Sequence, residues 1–179
     1  MGEIHTPPPV LPIVTVFSRY PEALEWAKAR IEREWGEVVL TGGPFPFELT
    51  SYYDETMGKG LQRVFFALKP LMEASKLVAM KHQSNAWEDE YARQFPKDEP
   101  RPVNIDPGYI DMSKLVLASS KDFTHRIYMA DGIFAEITLF YRRGGWQAHD
   151  WTFPDFRATT YHPFLSQCRQ LLNQERKAP

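Results

Sequence analysis

The densest collection of side chains capable of chemistry runs from Asn104 to Glu136. Within it, Asp106-Pro107-Gly108-Tyr109 carries proline and glycine at the two middle positions of a type II turn, which would hold Asn104, Asp106 and Tyr109 in a fixed geometry. Asp111 is placed to cap a following helix, and on that helix Lys114 and Lys121, seven residues apart, would share a face. The helix leads into Lys121-Asp122-Phe123-Thr124-His125-Arg126. Lysine, histidine and arginine converging where a helix ends and a strand begins suit a phosphate or carboxylate, which accepts charge-assisted hydrogen bonds from all three. On these grounds Lys114, Lys121, His125 and Arg126 hold the anion, with Asn104 and Tyr109 as further ligand contacts. Asp106 or Glu136 is the acid or base, and Asp122 is a base, a ribose contact or a salt-bridge partner. Plainer roles compete: solvated helix residues for Lys114 and Lys121, a cross-strand pair for Arg126 with Glu136, and a satisfied edge or core histidine for His125.

A second cluster gathers Trp146, Trp151, Phe153, Phe156 and Tyr161 around Pro154-Asp155, with Arg142, Arg143 and Arg157 nearby. Such rings can stack a base. Their commoner role, expected here, is to close a core or to dock a partner subunit in a homo-oligomer. Elsewhere the chain has no phosphate-loop, dinucleotide-fingerprint, zinc-protease or nucleophile-elbow motif, and no cofactor signature. Gly58-Lys59-Gly60 reads as a tight turn before a strand. The five histidines are scattered without helical or strand spacing, so no metal site is expected. Cys168, the single cysteine, reads as a buried, inert thiol.

The elements that must position these residues follow from periodicity. Ile13-Val-Thr-Val-Phe17 is a β-branched run suited to a strand covered on both faces. Pro21 opens a helix with Leu24, Ala27, Ile31 and Trp35 on one stripe and Gly36 as its stop. Glu37 to Thr41 reads as a strand ended by Gly42-Gly43-Pro44, and residues 44 to 60 form an aromatic loop without clear period. Leu61 to Leu68 reads as strand, Leu71 to about Phe95 as helix, Pro96 to Pro102 as a surface loop and Val103 to Ile105 as strand. That order predicts a ferredoxin-like split βαβ core. After the short helix to about Ser120 come a hairpin from His125 to Tyr141, a strand near Trp146 and a closing helix from about Pro163 to Arg176. A three-residue Ala130-Asp131-Gly132 loop pairs Arg126 with Glu136, opposite a face of Ile127, Ile137 and Leu139.

A length of 179 residues, with 43% hydrophobic and 25% charged, fits one α+β domain over residues 1–179 with a flexible, proline-rich arm at 1–10. A formal charge of −2 supplies no long-range attraction for nucleic acid or anionic lipid. No apolar run reaches the roughly 18 residues of a membrane span, and the N-terminus lacks signal-peptide order, so a cytoplasmic protein is expected.

Pro44-Phe-Pro-Phe47, Tyr52-Tyr53, Met57-Gly58, Asn104-Ile-Asp-Pro-Gly-Tyr109, Lys114-Leu-Val-Leu-Ala118, Lys121-Asp122, His125-Arg-Ile-Tyr128, Gly132-Ile133, Ala135-Glu136 and Trp151-Thr-Phe-Pro-Asp155 together form a pattern. By it, the chain resembles an uncharacterised bacterial family registered as domain of unknown function 4416. The resemblance implies a one-domain bacterial protein and carries no catalytic residue or cofactor with it. The function expected from the residues is a small enzyme or binding protein for a phosphorylated metabolite or nucleotide. The competing expectation is a non-catalytic interaction module that uses the Trp146 to Tyr161 surface.

Overall fold

The β-branched run at Ile13 becomes the middle of a sheet covered on both faces. In the computed structural model, which describes residues 2–48 and 52–177, β1 (Leu11–Ser18) is buried along its whole length. Proline at its first turn starts α1 (Pro21–Trp35), which turns Ala23, Leu24, Ala27 and Ile31 inward. Gly36 ends it at φ 121°, where a Cβ would lie 2.1 Å from the Lys69 carbonyl oxygen. The next strand, β2 (Glu37–Pro46), does not stop at Gly42-Gly43-Pro44 as expected. It runs on with irregularities after Val38 and Gly42, which an edge strand tolerates because one of its sides has no ladder to break.

The aromatic segment contains one helical turn, α2 (Asp54–Met57); residues 49–51 of that segment lie outside the described residues. It is followed by β3 (Gln62–Lys69) and α3 (Leu77–Gln94). Leu71 to Lys76, expected to be helical, instead holds Met72 in a bridge with Val10 and a single 3₁₀ turn. Then come β4 (Asn104–Ile110), β5 (Lys114–Ser119), β6 (Arg126–Ala130), β7 (Ile133–Arg142) and β8 (Gly145–Ala148). The short α4 (Pro154–Arg157) and α5 (His162–Glu175) close the described chain.

The strands lie in the order β2-β3-β1-β4-β5-β7-β6, all antiparallel, with β8 also on β7. The first four reproduce the split βαβ order, and α1 and α3 cover one face over Val14, Val16, Val64, Phe66 and Ile105. The other face packs Leu11, Ile13, Phe65 and Ile110 against Leu165, Cys168 and Leu172 of α5. Burial pushes the Cys168 thiol up, so it stays protonated.

Three further expectations need correction. Asp106-Pro107-Gly108-Tyr109 is not a turn but the body of β4, and Gly108 is not at positive φ. Glycine is required there because a Cβ would sit 2.3 Å from the Val116 carbonyl oxygen on β5. The segment after Asp111 is strand rather than helix: Lys114-Leu-Val-Leu-Ala-Ser is flanked on both sides by other strands, and ladder pairing overrides its helix propensity. In the hairpin, Arg126 does pair with Glu136, but the extra residue is absorbed as a bulge at Met129, leaving Asp131 and Gly132 at φ 51° and 77° as a two-residue turn. A second bulge, at Thr138, turns Leu139 away from Ile137 and into the α5 core beside Leu115.

Candidate functional site

The ladder between β4 and β5 consists of Gly108, Tyr109 and Ile110 opposite Leu117, Val116 and Leu115. Beyond Gly108 the strands part, β4 continuing beside β1 and β5 beside β7. A cavity of about 150 Å³ opens in the fork, lined among others by Thr15, Arg63, Lys81, Arg101, Asn104 and Asp106 on one side and by Ser119, Lys121, Arg126 and Glu136 on the other. Because side chains alternate along a strand, Asn104 and Asp106 face this cavity, while Tyr109 faces α3 and packs with Leu77 and Val116.

One wall is a continuous polar chain. Lys81, reaching from α3, donates to Asp106 Oδ1 at 2.7 Å and to the Ile105 carbonyl at 3.3 Å. Asn104 Nδ2 donates to Asp106 Oδ2 at 2.5 Å, and Arg101 donates to the Asn104 amide oxygen. Arg101 also forks onto Glu88 Oε2 at 3.0 and 2.8 Å, and Glu88 Oε1 accepts the Ile105 backbone N–H at 2.7 Å. Burial pushes the Asp106 carboxyl up, but Lys81, Arg101 and Asn104 outweigh it and hold it below the usual aspartate value. For Glu88 the balance reverses: burial pushes its carboxyl up despite Lys81 and Arg101.

The hairpin supplies the opposite wall. Arg126 Nε donates to Glu136 Oε2 at 2.9 Å, and its Nη1 donates to Ser119 Oγ at 2.7 Å and to the Lys121 carbonyl at 3.0 Å. His125 Nε2 lies 3.2 Å from Glu136 Oε2. At the exposed rim, Lys121 Nζ donates to the Tyr52 hydroxyl at 2.5 Å and stands over its ring. On the floor, Arg63 Nη1 donates to Asp155 Oδ2 at 2.5 Å, with the guanidinium 4.4, 4.9 and 5.0 Å from the ring centres of Phe47, Phe156 and Phe17. Burial pushes the Asp155 carboxyl up against the pull of Arg63. Among the described residues, Thr15 Oγ1 and Arg63 Nε are buried there without a hydrogen-bond partner.

Of the residues singled out from sequence, Asn104, Asp106, Lys121, Arg126 and Glu136 meet in this cavity, and His125 flanks it. Tyr109 and Lys114 do not. Strand alternation takes the first to the opposite face, and Lys114 sits at the far end of β5, paired with Asp111. Arg63, Lys81, Arg101 and Asp155 were not foreseen as site residues. For two of them a signal exists in the sequence: Arg63 interrupts the apolar alternation of β3, and Lys81 falls at helical spacing between Leu77 and Ser84 on the buried stripe of α3.

The second aromatic cluster divides. Trp146, Phe156 and Tyr161 are buried in the α5 core, as expected of core closure, whereas Trp151 is exposed. Among the described residues no helix is long and apolar enough to cross a membrane, and no group of three or more His, Cys, Asp or Glu side chains is placed to hold a metal ion.

A family model described as a domain of unknown function (DUF4416) matches residues 8–172. No curated protein and no solved structure gives a significant match.

Proposed function

We propose, for a chain that belongs to the DUF4416 family and so inherits no activity from its name, that the cavity between β4 and β5 binds a small phosphate-bearing molecule. The observation that carries this reading is the convergence of Arg63, Lys81, Arg101, Lys121 and Arg126 on one concave site. Carboxylates order four of these cations: Asp106 holds Lys81, Glu88 holds Arg101, Glu136 holds Arg126 and Asp155 holds Arg63. An incoming anion then meets preorganised donors, and Lys121, exposed at the rim and hydrogen-bonded among the described residues to the Tyr52 hydroxyl, is the cation most easily redirected. The buried Thr15 hydroxyl and Arg63 Nε lend further support, since each unsatisfied polar group costs about 1–3 kcal/mol that a polar ligand atom would recover. Of the two carboxylates considered as acid or base, Asp106 is held ionised with both oxygens engaged by Lys81 and Asn104, and fits the role of ligand orienter, not acid. Glu136 is committed to Arg126 and His125.

Thermal unfolding of the full chain against inorganic phosphate, sugar phosphates and nucleotides tests the proposal. Ligand at about 100 times its dissociation constant adds about 2.7 kcal/mol, a rise of about 5–10 °C in Tm for a chain of this size. Lys121→Glu should abolish that rise and leave the unliganded Tm nearly unchanged, because the side chain is exposed. A flat response to every phosphate compound would overturn the assignment.

A further inference from the structure

Beside the phosphate cavity, and sharing Phe123, Arg126 and Phe153 with it, lies a second, mostly apolar hollow of about 270 Å³ that is walled by His125 and Trp151. Three of its rings, and His149 beside them, lie in nearly parallel planes. Phe123 and His125 are tilted by 11° with centres 6.0 Å apart, His125 and Trp151 by 16° at 5.9 Å, and Trp151 and His149 by 8° at 4.5 Å. Phe123 and Trp151 are 50% and 46% exposed and so offer aromatic surface to a ligand.

The loop that presents Trp151 is nevertheless fixed. The Thr152 N–H donates to the His149 carbonyl, the Thr152 hydroxyl to the Thr138 carbonyl at 2.7 Å, and Arg157 Nε to the Thr152 carbonyl at 2.6 Å. Arg126 joins the two hollows. Its guanidinium stacks 4.8 Å from the Phe123 ring centre while its nitrogens line the phosphate cavity.

A ligand with a charged group and a flat aromatic group held a short distance apart fits both hollows at once. We infer that the Phe123–Trp151 ledge receives a nucleobase, so that the phosphate-bearing ligand is a nucleotide. This inference rests on the phosphate assignment made above and narrows it to one ligand class. Every base offers a π face to such rings, whereas a sugar phosphate has none.

The test is calorimetric titration of the full chain with inorganic phosphate, ribose 5-phosphate, the common ribonucleoside 5′-monophosphates and the matching nucleosides. At least one nucleotide should bind about tenfold or more tightly than ribose 5-phosphate, the gain one stacked base supplies. Trp151→Ala should erase that gain and leave ribose 5-phosphate affinity unchanged, because Trp151 lies outside the phosphate cavity, and Phe123→Ala should likewise erase the gain; both side chains are exposed, so the fold should survive. Nucleotides binding no better than ribose 5-phosphate, or a gain indifferent to both substitutions, would overturn the base ledge and leave the phosphate cavity standing. Nucleosides binding as well as nucleotides, with the Trp151 dependence intact, would uphold the ledge and overturn the phosphate cavity. Silence toward every compound would overturn both.

Discussion

Arg63 and Asp155 are 5% and 3% exposed in their side chains, so neither charge has water to fall back on. Removing one partner strands the other, which costs about 3–5 kcal/mol, whereas replacing both with apolar groups of similar volume is close to neutral. Arg63→Met should therefore lower the urea midpoint sharply, and adding Asp155→Leu should recover most of the loss. Asp106 makes a different prediction. Its carboxyl is held below the ordinary 3.8, so in the window between 3.8 and the lower folded value the unfolded chain binds more protons and stability falls as pH falls. Asp106→Asn should show a shallower decline in urea midpoint between about pH 5 and pH 2 than the parent does. At this scale the sequence was half legible. Arg126 with Glu136 could be paired by alternation alone, while Arg63 and Lys81 carry information only once their apolar neighbours are known to be buried.

Gly108 shows what an element demands of one residue. Extended backbone tolerates any side chain, but the crossing of β4 and β5 does not: a methyl at Gly108 must push against the Val116 carbonyl at 2.3 Å and Leu117 Cδ2 at 2.6 Å. Gly108→Ala should cost about 1–3 kcal/mol by denaturant titration, typical of overpacking. An Ala variant as stable as the parent would mean that β4 and β5 can part enough to admit the methyl. Strands β1 and β3 and helix α1 were legible because their patterns are long and regular. For β5 the pattern misleads, since a four-residue apolar run bounded by lysine and serine fits a buried strand as well as a helix, and only its position between β4 and β7 decides. The bulges at Met129 and Thr138 leave no mark in the sequence, because each is a compromise between a turn or core contact and a ladder.

The split βαβ order suggests an autonomous half-molecule, yet the face of β1, β3 and β4 turned away from α1 and α3 carries Leu11, Ile13, Phe65, Ala67 and Ile110, which α5 covers. A fragment ending at Ile110 should therefore lack a cooperative thermal transition by far-UV circular dichroism, while the full chain melts in one step. The fork between β4 and β5 has a mechanical consequence as well. Among the described residues, three ladder pairs between β4 and β5 join the split βαβ half of the sheet to its hairpin half, and the cavity lies where that ladder stops. A molecule lodged there touches both banks of the seam and works as a clasp. Its binding free energy opposes any motion that pulls the banks apart, so amide hydrogen exchange in β4 and β5 should slow on binding more than exchange in β2, at the sheet's other edge.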